Sequence, residues 1–216
     1  METVRLKTGV LGVNTYLVFD NGSGAFVVDP GGDAQKIRQA AAERGRKIQA
    51  VLLTHGHFDH IGALRELQRD GAKVYVHTAD APMLLDDEAS LGAQFGYSTE
   101  PCRADHLLSG GEELSLCGIT IRVIATPGHT PGGVCYLAGD VIFSGDTLFC
   151  GSVGRTDFSA GDHAQLICSI KNKLFTLPEH LRVLPGHGEE TTIEDEKKYN
   201  PFVRLYEIKN QCSGIL

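Results

Sequence analysis

No stretch of this 216-residue chain is apolar for long enough to span a membrane, and none gathers lysine and arginine into a block. The first absence excludes a membrane-spanning helix. The second, with a net charge of −7, argues against a nucleic-acid partner, which needs a basic stripe. Cys-x-x-Cys does not occur: the six cysteines, at 102, 117, 135, 150, 168 and 212, stand far apart. In a chain of this length they are expected to be reduced and mostly buried rather than to form a disulfide framework. The first twenty residues alternate polar and apolar and lack an apolar core, so they read as neither signal nor transit peptide. The expected location is the cytoplasm. With no linker, repeat or low-complexity tract, residues 1–216 are expected to form one domain. Nothing in the sequence sets an oligomeric state.

What the chain does have is glycine, 26 residues, and a regular alternation of apolar runs. Residues 4–11, 14–20 and 25–29 read as strands, the last two joined by the turn NGSG at 21–24. DPGGD at 29–33 breaks the chain. A helix follows over 34–45, ending at Gly45. Then come a strand (48–54), a helix (60–71), a strand (72–78) and a short helix (81–87). Short strands crowd 105–149. Residues 162–177 read as a helix, 182–185 as a strand and 191–210 as a closing helix. Thr192 and Asp195 form a capping box there, and Asn200-Pro201 kinks or splits the helix. Strands and helices alternating in both halves predict an α/β protein of two stacked sheets with helices outside.

Chemistry concentrates at the carboxyl ends of apolar strands. After 48–54 the chain reads HGHFDH, a pattern expected by chance in about one in a thousand chains of this composition. His55 and His57, two apart in an extended loop, can point the same way and chelate one ion. Asp59 and His60, one step farther at a helix start, can reach a second. His129 in ATPGHTPGG, Asp146 in FSGDTLF and His187 in LPGHGEE recur in the same setting, a strand followed by glycine. Any one alone reads better as a capped turn. Together the seven suit two metal ions sharing a carboxylate. His77, His106, His163 and His180 lack this context and are assigned ordinary surface or core roles.

The T-H-x-H-x-D-H loop, the P-G-H-T-P-G turn, the G-D-x-L-F segment and the P-G-H-G turn, in this order, resemble the metallo-β-lactamase superfamily over essentially the whole chain. The resemblance implies an αβ/βα four-layer sandwich of two mixed β-sheets with a dinuclear centre between the sheet edges. It implies His55, His57 and His129 on one metal, Asp59, His60 and His187 on the other, and Asp146 bridging. Asp29 in VVDPGG matches a family aspartate that supports the site from behind; a turn aspartate before proline is the equal alternative. Two divalent ions would share a water and lower its pKa toward about 7, so that hydroxide attacks an acyl carbonyl while Asp59 orients it. Zinc is the first expectation for the metals, with iron or manganese as alternatives.

An aspartate at the bridging position looks less like class B β-lactamases than like glyoxalase II relatives, which cleave S-D-lactoylglutathione. Thiolester hydrolysis of a small-molecule substrate is therefore expected. Full-length glyoxalase II appends a helical domain that grips glutathione, which is not expected after the single closing helical region of this sequence, and Arg155 and Asp157 stand where that family has lysine and tyrosine. Arg155 is a candidate to bind a substrate carboxylate, against the somewhat better alternative of a structural Arg155–Asp157 pair. Two rivals share the fold. A mononuclear-iron persulfide dioxygenase has a similar GRTDF segment but usually ends P-A-H-D where this chain has PGHG. A nuclease or phosphodiesterase would need a basic exosite.

Overall fold

The computed structural model describes residues 1–20 and 22–204. Twelve strands form two six-stranded sheets. The first contains β1 (Glu2–Thr8), β2 (Val13–Phe19), β3 (Gly24–Val28), β4 (Lys47–Leu52), β5 (Lys73–His77) and β6 (His106–Leu108), in that order. The second begins with β7 (Glu113–Leu116), β8 (Ile119–Ala125), β9 (Val134–Ala138) and β10 (Val141–Gly145). A small hairpin, β11 (Leu148–Phe149) and β12 (Ser152–Val153), then stands apart. The second sheet is completed by β13 (Arg182–Pro185) beside β10 and β14 (Thr191–Thr192) at the edge. Both sheets are mixed. β3 through β6 run parallel and β1–β2–β3 antiparallel. In the second sheet the β10–β13 pair is parallel among antiparallel neighbours.

Burial follows from the two-sided covering. All seven residues of β2 are buried. Its Leu17 and Phe19 face the helices outside the first sheet, and its Tyr16 and Val18 face the other sheet. Helix α1 (Ala34–Ala42) contributes Ile37, Ala40 and Ala41 to the outer layer. Between the sheets Tyr16 packs on Phe143, ring centroids 5.3 Å apart. Beyond the second sheet Ile142, Val183 and Leu148 pack on Leu166, Ile167 and Ile170. The result is the expected α/β sandwich, helix–sheet–sheet–helix.

Local details depart from the sequence reading, each for a visible reason. The helix expected over 60–71 is two helices, α2 (Phe58–Ile61) and α3 (Leu64–Arg69). The chain breaks at Gly62–Ala63 because it crosses the DPGG loop: a Cβ on Gly62 would collide with the Gly31 carbonyl, and Ala63 N–H donates to Pro30 O at 2.9 Å. The short helix expected over 81–87 is a 3₁₀ helix over Ala81–Leu85. The helix expected over 162–177 is α4 (His163–Ser169), capped by Asp162 and continued by one π turn over Ile170–Leu174. The closing helix starts at α5 (Ile193–Tyr199), its first turn capped by Thr192. Asn200 is extended, so Asn200-Pro201 splits the helix, which resumes over 201–204. The rest of that expected helix, 205–210, lies outside the described residues, as do Asn21 of the NGSG turn and Cys212. The expectation of mostly buried thiols is corrected. Cys102 and Cys135 are buried, Cys117 and Cys168 are half-buried, and Cys150 is exposed; Cys102, Cys117, Cys135 and Cys150 are free. Among the described residues no helix is long and apolar enough to cross a membrane.

Candidate metal centre

The ends of β4, β8, β10 and β13 meet where the two sheets adjoin, and hydrogen bonds across the seam hold their loops together. Val134 N–H donates to Thr54 O at 2.8 Å, and Asn14 N–H to Gly186 O at 2.7 Å. The Asn14 side chain bridges Pro185 O and Gly188 O. Two buried tyrosines do the same work: Tyr16 donates to Pro185 O and Tyr136 to Leu53 O. Each of these bonds acts within a few residues of a predicted site residue.

All seven predicted residues converge there. His129 Nε2 lies 2.9 Å from His57 Nδ1 and 3.3 Å from His55 Nε2. One proton cannot satisfy three ring nitrogens, whereas the ligands of a tetrahedral ion bound at about 2.0–2.1 Å stand roughly 3.3 Å apart. Asp59 Oδ2 is 3.1 Å from His187 Nε2 and 3.6 Å from His60 Nε2. Asp146 lies between the groups. Its Oδ1 is 3.4 Å from His60 Nε2, and its Oδ2 is 3.7 Å from His129 Nε2 and 3.8 Å from His187 Nε2. Two of these atoms, His60 Nε2 and Asp146 Oδ1, are buried and make no hydrogen bond. Orphaned buried polar atoms facing one another at that distance fit an intervening cation. Any side chain at residue 186 would strike Asp146 and His60, which accounts for the first glycine of the PGHG turn.

Neighbours fix which ring nitrogen faces inward. Arg155 O accepts from His129 Nδ1–H at 2.6 Å, leaving Nε2 bare toward the centre. Asp29, 1% exposed, accepts from Thr54 N–H (2.8 Å), Thr54 Oγ1–H (2.6 Å) and His60 Nδ1–H (3.0 Å). With its proton on Asp29, Thr54 Oγ1 is free to accept from His55 Nδ1, 3.1 Å away. His55 and His60 thus both turn Nε2 inward.

Electrostatics point the same way. Burial, reinforced by the neighbouring histidines, holds His55 well below the ordinary imidazole range and His57 down at about 3. Both are neutral lone-pair donors at pH 7. Burial opposes ionisation of Asp146 and Asp59, yet His60 and the other facing imidazoles hold both carboxyls below their usual range. His60 is pulled the other way: burial disfavours its charge, but Asp59, Asp146 and Asp29 raise it well above the ordinary value. Three carboxylates around one imidazole call for positive charge at this point.

Arg155 lines the cleft in front of the centre, but its Nε and Nη2 donate to Asp157 at 2.9 and 2.8 Å. The Arg155–Asp157 pair weighed as an alternative thus forms. Asp80, which the sequence reading passed over, ties the two histidine loops together. Its buried carboxylate accepts from Gly56 N–H (3.2 Å), Thr130 Oγ1–H (2.7 Å) and Gly132 N–H (2.7 Å). Its one sequence signal was an aspartate just past β5 in HTADAP. His106, His163 and His180 are exposed and His77 is half-buried, and none of the four lines the cleft or joins the metal-holding groups.

The chain is 40% identical over 214 residues to the probable metallo-hydrolase YqgX of Bacillus subtilis, covering 96% of this chain and 100% of that one. It is 36% identical to the hydroxyacylglutathione hydrolase GloC of Haemophilus influenzae, over 88% of this chain and 92% of that one. Among solved structures, the BLEG-1 B3 metallo-β-lactamase superposes with a TM-score of 0.89 at 39% identity, covering 94% of this chain and 99% of that one. A di-iron-bound form of TTHA1623 gives 0.82 at 36% identity, covering 92% and 99%. The family model of the metallo-β-lactamase superfamily matches residues 8–187, and with the two-sheet fold and the convergent His/Asp groups this places the chain in that superfamily.

Proposed function

We propose that this chain is a metal-dependent hydrolase that cleaves thiolesters of small molecules such as S-D-lactoylglutathione, with two divalent ions, zinc first, at the centre. The observation that carries the reading is Asp146, an aspartate with one oxygen toward each histidine group, in a chain that is similar over 88% of its length to a hydroxyacylglutathione hydrolase. In this reading His55 Nε2, His57 Nδ1 and His129 Nε2 hold one ion, Asp59, His60 and His187 the other, and Asp146 both. Bound there, two cations supply a water of lowered pKa and positive charge for the carbonyl oxygen. Asp59, on the cleft wall, orients the attacking water. Asp29 and the Arg155 carbonyl keep His60 and His129 turned toward the ions. Arg155, at the mouth, keeps Nη1 outside its pair with Asp157 and takes a polar group of the substrate. We assign the protein no nucleic-acid or membrane partner.

The similarity to BLEG-1 favours a second reading, β-lactam hydrolysis by the same centre. A panel of thiolesters and a chromogenic cephalosporin, assayed with metal content and oxygen uptake measured on the same sample, separates the possibilities. Thiolester turnover with two metals per chain is expected. Turnover of the cephalosporin alone would replace the reading with a lactamase. One iron per chain with sulfite formed from glutathione persulfide would replace it with a dioxygenase.

A further inference from the structure

The walls of the cleft above the centre are apolar. Phe58, Leu91, Phe95, Phe149 and Phe158 line the cleft, together with Leu11, 51% exposed. Phe58 is the buried base of a stack, with the rings of Phe95 and Tyr97 at 5.3 and 5.4 Å. Phe95 and Tyr97 themselves are 47% and 42% exposed. Phe158 meets the His57 ring edge-on at 5.5 Å and carries the Arg155 guanidinium 4.6 Å above its face. Large apolar side chains left in water beside polar reacting groups mark the place where a ligand's apolar part sits.

Charge supports the same assignment. Among the described residues lining the cleft, Arg155 is the one lysine or arginine, and Asp157 already balances it with two hydrogen bonds. Beyond the ions themselves, a carrier with several carboxylates finds no unpaired lysine or arginine among the described residues of the cleft wall.

Resting on the thiolester reading, we infer that the acyl arm seated in this cleft is uncharged and apolar, a medium-length alkyl or an aryl group, rather than a short hydroxyacid.

The test is a series of N-acetylcysteamine thiolesters, from acetyl to hexanoyl with phenylacetyl added, compared with S-D-lactoylglutathione on the metal-loaded protein. KM is expected to fall about fourfold for each methylene taken into the cleft. The phenylacetyl thiolester is expected to exceed S-D-lactoylglutathione at least tenfold in kcat/KM. Phe95→Ser, at a half-exposed ring, is expected to flatten the series while metal content and melting temperature hold. A KM independent of chain length, or a preference for S-D-lactoylglutathione, overturns the apolar arm and leaves thiolester hydrolysis standing. Absence of turnover for every thiolester overturns the hydrolase reading instead. In that event the heptan-2-one thioether of N-acetylcysteamine, which cannot be hydrolysed, decides the arm by calorimetry. Binding at least tenfold tighter than the acetone analogue, weakened by Phe95→Ser, upholds it, and equal binding refutes it.

Discussion

Asp29→Asn is the sharpest perturbation of the centre, because it changes charge and hydrogen bonding with almost no change of shape. Asp29 sits at φ 50°, in the left-handed region, which asparagine tolerates as well as aspartate, so the backbone does not confound the result. The carboxylate accepts three hydrogen bonds in a fully buried setting. An asparagine that keeps its oxygen toward Thr54 N–H turns its NH₂ toward Thr54 Oγ1 and His60 Nδ1. Thr54 can rotate and accept, but at His60 donor then faces donor. The ring answers by shifting its proton to Nε2, the atom that must be bare. Two bonds to a charged acceptor, each worth about 1.5–3 kcal/mol, are lost and one neutral bond of about 1 kcal/mol is regained. The net destabilisation expected is about 2–5 kcal/mol, read by urea unfolding of metal-free protein. Removing the partner that orients a metal-binding histidine costs about 10–100-fold in affinity. That loss is expected for the ion beside His60 and not for the three-histidine ion, as resolved by competition with a chromophoric chelator. Equal loss at both ions, or a stability change under about 1 kcal/mol, would refute the hydrogen-bond argument.

Three further substitutions probe other parts of the molecule. Asp146→Ala is expected to strip both metals and activity together, since this side chain faces both histidine groups; two metals retained in elemental analysis would sink the bridging assignment. Arg155→Ala is expected to raise KM several-fold with metal content intact, and unchanged kinetics would leave Arg155 as no more than the partner of Asp157. For Asp105, burial pushes the carboxyl up, but Lys73, Val74 N–H and Gln68 outweigh it and hold it at about 2 against an ordinary 3.8. A depressed carboxyl lends stability that is complete above about pH 4 and vanishes as pH falls through 2. Asp105→Asn is therefore expected to cost about 1 kcal/mol at pH 7, allowing for solvent screening. The gap to wild type should close by pH 2 in urea melts, and a gap independent of pH would contradict it.

The seven residues of the centre were legible because each follows an apolar strand at a glycine turn, and strand ends in stacked sheets meet. Asp29 was legible only through the family motif: nothing local says that a turn aspartate will accept from Thr54 and, 31 residues on, from His60. Asp80 offered only its place just past β5, and its role stayed hidden because its partners lie 24 and 50–52 residues away on two other loops. The break at Gly62 escaped for the same reason. Helical spacing continues unbroken through 60–71, and the obstruction comes from residue 31 of a separate segment. Local pattern specifies elements and their ends, whereas the bonds between ends depend on approach distances that only the folded chain defines.

The facing pairs at the seam join distant parts of the chain: His57 and His129 are 72 residues apart, Asp59 and His187 128. A cation held between them would act as a cross-link closing very long loops, in a chain whose Cys102, Cys117, Cys135 and Cys150 are free. In the chain-entropy account, closing a loop of about 100 residues takes roughly 4–5 kcal/mol of freedom from the unfolded state. Metal supply would then set how long the two halves stay joined as well as how fast the centre turns over, and the protein's lifetime in a metal-starved cell would be shortened through its unfolding equilibrium.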